Sequence, residues 1–146
     1  MAMIKDMFDG GAMQTLERTL QFTHERHRLM VNNIANADTV HYRSKDIDPE
    51  SFQDSLRRAL GDRRRTGTPT NGKLEMRDTW EMRFREGGID VRPERSNQNM
   101  LFHDRNNRDL ERTMQQLAEN TLAHNATVEM MRNQFDMIRT AIRERP

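Results

Sequence analysis

The chain has 146 residues, no cysteine, twelve methionines and a formal net charge of +1 at pH 7. Hydrophobic residues make up 34% of it and charged residues 32%, so we expect a thin core rather than a large one. The lack of cysteine excludes disulfides and thiolate metal sites, no apolar run is long enough to span a membrane, and no cleavable secretory signal is expected at the N-terminus.

A long helix is predicted over residues 12–37. Mostly apolar side chains recur along it at alternating spacings of three and four residues, which is the heptad pattern of helices that pack as a coiled coil. The positions are Met13, Leu16, Leu20, His27, Met30 and Ile34, with Thr23 and Ala37 completing the series. We expect this face to pack against another helix.

The first helix is predicted to end in a polar turn. Residues 32–39 read N-N-I-A-N-A-D-T, and Val40, His41 and Tyr42 follow. Asparagine side chains can bond the last carbonyls of a helix and the neighbouring backbone groups. The pattern therefore predicts a hydrogen-bonded turn at this end of the helix.

A short amphipathic helix is predicted after the turn. Residues 48–50 (D-P-E) read as an N-cap, a proline at the first helical position and an acidic first turn. Phe52, Leu56 and Leu60 then mark one apolar face, and Gly61 is expected to end the helix.

The stretch from Gly61 to Lys73 is predicted to be a solvated loop, because it lacks apolar residues and is rich in glycine and charge. It contains the run Arg63-Arg64-Arg65, which could contact phosphate. The acidic residues interspersed along the chain leave no extended basic field, however, so nucleic-acid binding is not expected.

A β-hairpin is predicted next. The apolar residues of the next segment all lie at even positions, and this period of two is typical of a half-buried strand. They are Leu74, Met76, Trp80, Met82 and Phe84. Gly87-Gly88 is expected to turn the chain into a second strand over residues 89–91, before Pro93. A lone hairpin is marginally stable in water, so the alternative is a disordered segment.

A second long helix is predicted over residues 109–144, again with alternating spacings of four and three. Asn106 or Asn107 is expected to cap it, with Asp109 and Glu111 in the first turn. Its seam positions are Leu110, Met114, Leu117, His124, Val128, Met131, Phe135, Ile138 and Ile142, with Thr121 in the same series. Together with the first series they form what we call the assembly seam.

The residues that could carry chemistry are few. His24 and His27 lie one helical turn apart, but a metal site needs three or four converging ligands. His27 and His124 each lie beside a seam threonine, so we interpret them as a polar layer that sets register. No nucleophile elbow, phosphate loop or framed carboxylate pair is present, and we therefore expect neither an enzyme nor a bound cofactor or metal.

Residues 32–42 resemble the N-N-I-A-N-x-x-T-P-G-Y signature shared by the bacterial flagellar axial proteins of the rod and hook. Residues 45–48 look like the R-D-I-D-F element of the proximal rod members of that family. Residues 106–112 and 117–120 look like their N-N-V-D-x-x-x-E and L-A-x-N segments. The matching positions are Asn32, Asn33, Ile34, Ala35, Asn36, Thr39, Tyr42, Asp46, Ile47, Asp48, Asn107, Asp109 and Asn120.

Two departures from the family pattern stand out. The family turn T-P-G-Y is here Thr39-Val40-His41-Tyr42, which removes proline's fixed φ and glycine's tolerance of positive φ. His124 also stands where the family usually has tyrosine.

The resemblance implies a structural subunit of the flagellar basal-body rod. Such proteins are exported unfolded through the flagellar type III apparatus without a cleaved signal, and polymerise in the periplasm. The implied partners are other copies of the chain, other rod proteins, the export gate and the rod-base junction protein. The alternative interpretation is an intracellular antiparallel helical adaptor that binds a partner helix or nucleic acid.

The predicted fold class is mainly α. Two long terminal helices form an antiparallel, coiled-coil-like pair, with a short helix and a small β-hairpin or a disordered segment between them. The expected division is a helical assembly domain from residues 1–37 and 109–146, a turn and short helix over 38–60, and a variable segment over 61–108.

Overall fold

The computed structural model describes residues 11–65, 73–95 and 110–143. The elements in chain order are α1 (Gly11–Ala35), β1 (Lys45–Asp46), α2 (Pro49–Arg65), β2 (Met82–Arg85), β3 (Gly88–Val91), β4 (Glu94–Arg95) and α3 (Leu110–Arg143). The long helices α1 and α3 pack along each other as the predicted pair, with a shorter helix and a small antiparallel hairpin between them in sequence. The predicted fold class is confirmed.

A small apolar core lies on a second side of α1. It is formed by Phe22, Ile47, Phe52, Met82 and Ile89. Phe22 of α1 stacks on Phe52 of α2, with ring centroids 4.2 Å apart and planes 7° from parallel. Ile47 and Met82 have no exposed surface. Helix α1 therefore packs against both α3 and this core.

The strands form two two-stranded antiparallel sheets, β2 with β3 and β1 with β4. The β2–β3 hairpin pairs Arg85 with Gly88 at its closed end. Arg18 of α1 donates from Nη1 to the carbonyl of Arg85 at 2.7 Å and lies 3.4 Å from that of Gly88, which ties the hairpin turn to α1. The β1–β4 pair has no counterpart in the sequence predictions.

Helix α2 is longer than predicted. Gly61 does not end it, because the helix continues to Arg65. A helical glycine costs about 1 kcal/mol relative to alanine, and the helix tolerates it between the buried residues Ala59 and Arg63. Arg63 is thus a buried helical residue, while Arg64 and Arg65 are exposed in the last turn. The predicted loop is wrong for residues 61–65.

The first predicted strand is shorter than expected. Only Met82–Arg85 is a strand, and residues 73–79 have no regular structure. The backbone N–H of Thr79 donates to the Met82 carbonyl at 2.8 Å, and that of Met82 donates to Thr79 Oγ1 at 3.0 Å. This tight turn interrupts the alternation and leaves Trp80 61% exposed.

Candidate assembly surface

A buried polar layer joins α1 and α3. Asn120 Nδ2 donates to the Thr23 carbonyl over 2.8 Å, and His124 Nδ1 lies 3.0 Å from Thr23 Oγ1. The Thr23 hydroxyl also donates to the Leu20 carbonyl at 3.0 Å. Because a hydroxyl carries one proton, His124 Nδ1 is the donor whenever Thr23 makes that bond. Thr23 and Asn120 are each 3% exposed, so a shift of register would leave buried polar groups unsatisfied.

The residues of the predicted assembly seam differ widely in exposure. Met30 is buried, at 1% exposure. Nine are partly buried: Met13, Leu16, Leu20, Ile34, Leu117, His124, Val128, Met131 and Ile138. Five are exposed: His27, Leu110, Met114, Phe135 and Ile142. The exposed members on α3 lie toward its two ends, with Leu110 43%, Met114 51%, Phe135 39% and Ile142 56% exposed.

The polar layer contains only one of the two predicted histidines. His124 takes part, whereas His27 is exposed. The buried residues of α1 are Phe22, Thr23, Arg26, Met30 and Asn33, and His27 lies outside this set. The heptad pattern predicts contacts with a single partner helix, whereas α1 packs against both α3 and the apolar core.

One signature asparagine fastens the turn to the end of α1. Asn33 Nδ2 donates to the Lys45 carbonyl at 2.7 Å, and Asn33 Oδ1 accepts the Lys45 N–H at 3.0 Å. The side-chain amide thus pairs with β1 as a neighbouring strand would. Asn33 Oδ1 also accepts the Tyr42 hydroxyl at 2.9 Å. Burial raises the pKa of Tyr42 above its ordinary value.

The other signature residues shape the turn itself. Asn36 Nδ2 donates to the Asn32 carbonyl at 2.8 Å, next to the backbone bond from Asn36 N at 3.1 Å. The N–H of Thr39 donates to the Asn36 carbonyl at 3.0 Å, and that of Tyr42 to the Thr39 carbonyl at 3.2 Å. His41, at the family's glycine position, has φ of 63°, so the turn keeps the left-handed conformation without the residue that favours it.

The Asp46-Ile47-Asp48 element connects three parts of the fold. Asp46 forms a two-point ion pair with Arg26 of α1, Nε to Oδ1 at 3.1 Å and Nη2 to Oδ2 at 3.0 Å. Ile47 is fully buried in the apolar core. Asp48 accepts two N–H groups in the first turn of α2, at 3.0 and 3.2 Å, and so caps that helix.

The residues that join α1 to the core were not assigned from the sequence. Phe22 and Arg26 are 5% and 8% exposed, and Leu29 packs against the core. Phe22, Arg26 and Leu29 recur at spacings of four and three beside the seam. This spacing is the sequence feature that could have indicated a second buried face of α1. It is hard to recognise because one of its three residues is an arginine, which is usually exposed.

Some predicted features lie outside the described residues, namely the cap at Asn106 or Asn107 and the signature position Asp109. Among residues 11–65, 73–95 and 110–143 no three or more histidine and acidic side chains are grouped so that they could hold a metal ion. No helix in that part of the chain is long and apolar enough to cross a membrane.

Two long helices, paired through a buried polar layer, and a small core joined to the first of them by an asparagine turn define a mainly helical protein. The chain is 27% identical over 134 residues to the flagellar basal body rod protein FlgB of Bacillus subtilis, covering 90% of this chain and 93% of that protein. It is 30% identical over 128 residues to FlgB of Cereibacter sphaeroides, covering 86% and 89%. No protein-family profile matches the chain. The chain belongs to the FlgB family of flagellar basal body rod proteins.

Proposed function

We propose that this chain is a structural subunit of the proximal rod of the flagellar basal body, that it polymerises through its terminal helices and that it transmits motor torque. It acts in the periplasm after export through the flagellar type III apparatus. Its partners are other copies of itself, other rod proteins, the export gate and the rod-base junction protein. The relatives are named as rod proteins, which supports the assignment to this assembly.

The exposure of apolar seam residues toward the ends of α3 carries the proposal. Leu110 and Met114 at one end and Phe135 and Ile142 at the other are 39% to 56% exposed, although they continue the line of the helix pair. Apolar side chains in one line on a long helix favour burial against a further chain. In an assembled rod, the neighbouring subunits are the chains that would bury these residues. We propose no enzymatic role.

Aspartate substitutions test the assembly seam. Ile34→Asp or Ile138→Asp, each at a partly buried seam position, is expected to abolish incorporation into basal bodies and motility while leaving export intact, because a charge cannot be buried there without a partner. Asn125→Asp, at an exposed position of α3 outside the seam, is the matched control. Cells that carry this variant should be motile. Normal motility of both isoleucine variants would refute the seam assignment.

Location tests the function itself. The chain is expected in purified basal bodies, and its secretion should stop in a strain that lacks the flagellar export apparatus. Retention in a cytosolic complex whose affinity falls steeply with salt would instead identify the alternative helical adaptor.

A further inference from the structure

The methionines are the residues of this chain that oxidants attack most readily. The sequence holds twelve methionines and no cysteine, so no thiol competes for a hydroperoxide. Oxidation converts the flexible, apolar thioether of methionine into a polar sulfoxide. Because the oxidant must reach the sulfur atom, burial in the fold decides which methionines react.

Of the methionines that the structure describes, three are exposed, and all three lie on α3. We call them the exposed methionines: Met114, Met130 and Met137, which are 51%, 56% and 56% exposed. Met30 of α1 is only 1% exposed and Met82 of β2 has no exposed surface. A hydroperoxide therefore reaches the exposed methionines directly from solvent, whereas Met30 and Met82 react only when the fold opens around them.

The reaction transfers one oxygen atom to the sulfur. The thioether donates an electron pair to the terminal oxygen of the hydroperoxide, so that the S–O bond forms as the O–O bond breaks. The departing oxygen takes the proton of the transferred hydroxyl and leaves as water or an alcohol. Sulfur loses two electrons and the hydroperoxide gains them, so no further reactant is needed.

Met114 lies in an apolar row in the first turns of α3. Leu110 precedes it by four residues and Leu117 follows it by three, which makes the three side chains neighbours on the helix surface. All three belong to the assembly seam, and Leu110 is 43% exposed. A sulfoxide at Met114 places a polar oxygen in this row, and burying that oxygen against another chain costs free energy unless a donor meets it.

Met137 has different surroundings and lies outside the assembly seam. It lines an open groove together with Asn133 and Thr140. The Asn133 amide carries two N–H donors, so an oxygen added to Met137 has a hydrogen-bond donor beside it on the same helix. Met130 lies three residues before Asn133, on the same side of α3. Solvent and this amide therefore accommodate sulfoxides at Met130 and Met137.

We propose that hydroperoxides oxidise the folded subunit at the exposed methionines, and that the sulfoxide of Met114 keeps the subunit out of the rod without unfolding it. The sites follow from exposure within one chain, whereas the consequence rests on the proposed function. Because Met114 is 51% exposed, the added oxygen is hydrated in the free subunit and removes little packing. Methionine sulfoxide reductases restore the thioether, so the block is reversible.

Peptide mass spectrometry tests the oxidation sites. The purified full chain is treated with hydrogen peroxide for increasing times and digested, and each added oxygen is assigned to a residue by fragmentation. The exposed methionines should react about tenfold faster, or more, than Met30 and Met82. In the urea-unfolded chain the rates should converge. Oxidation of Met30 and Met82 in the native chain as fast as the exposed methionines would overturn the assignment of the sites.

Substitutions at the same positions test the consequence. Glutamine is close to the sulfoxide in size and polarity, whereas leucine stays apolar and cannot be oxidised. Met114→Gln should be lost from purified basal bodies although the urea midpoint of the isolated chain is unchanged. Met114→Leu and the matched control Met137→Gln should both be incorporated.

The other outcomes of the substitutions contradict the proposal. Incorporation of Met114→Gln would show that a polar group is tolerated in the seam. Loss of Met114→Leu would show that side-chain shape matters rather than polarity, and loss of Met137→Gln would show that Met114 is not the sensitive site. A lowered urea midpoint of Met114→Gln would place the effect in the fold. Absence of the unmodified chain from basal bodies would instead refute the proposed function, while the peptide data still decide the oxidation sites.

Discussion

Replacing Asn33 with alanine measures how strongly one side-chain amide holds the turn to α1. The substitution removes three hydrogen bonds, two with the Lys45 backbone at 2.7 and 3.0 Å and one from the Tyr42 hydroxyl at 2.9 Å. Asn33 is 8% exposed, so water does not readily replace them. At about 1 kcal/mol per bond the free energy of unfolding should fall by about 3 kcal/mol, measured by urea denaturation followed by far-ultraviolet circular dichroism.

Asn32→Ala provides the matched control for this measurement. Asn32 is the preceding residue, but its side chain is exposed: its bond to the Tyr42 hydroxyl is long, at 3.4 Å, and the bond that its Oδ1 accepts from Asn36 Nδ2 at 3.0 Å is open to water. We expect Asn32→Ala to lower the free energy of unfolding by less than about 1 kcal/mol. If Asn33→Ala costs no more than Asn32→Ala, the amide does not hold the turn and the reasoning fails.

Three further predictions concern the turn and α2. His41→Gly should raise the free energy of unfolding by about 1 kcal/mol, because φ of 63° strains a residue with a β-carbon; an unchanged denaturation midpoint would contradict this. Gly61→Ala should add about 0.5 to 1 kcal/mol, since the new methyl group meets no atom within 4 Å, and a lower midpoint would show hidden crowding. Burial raises the pKa of Tyr42, the only tyrosine, so its contribution to stability is complete below the unfolded pKa of about 10 and is lost above the folded pKa. The phenolate absorbance should titrate at higher pH in the native chain than in the urea-unfolded chain, and coincident curves would refute it.

The long helices and the hairpin could be predicted because their signals are local. Helix periodicity, the glycines at the hairpin turn and the proline at the start of α2 act within a few residues, and the observed bounds of α1 and α3 lie close to those expected. The pairing of β1 with β4 joins two-residue strands that are far apart in sequence. Strands this short carry no periodicity, so only the folded core, with Ile47 at its centre, brings them together.

The polar layer and the turn could be predicted only in part. Thr23 and His124 were expected at a polar level of the seam, but the Asn120 bond ends on a backbone carbonyl, which no side-chain pattern encodes. The Arg26–Asp46 pair is similarly hidden, because an arginine in a helix is read as solvent-facing unless its partner is known. The Arg26 side chain is 10% exposed because the core packs beside it.

The signature asparagines and the assembly surfaces act at different stages. Asn33 is buried inside one chain, so a change there lowers the stability of the isolated subunit before any neighbour is met. Leu122 is 71% exposed, so a change there should leave the subunit's unfolding free energy nearly unaltered. The buried signature residue Asn33 therefore contributes to the stability of the fold, whereas the proposed assembly contacts rest on apolar residues of α3 that are exposed in the single chain, such as Phe135 and Ile142.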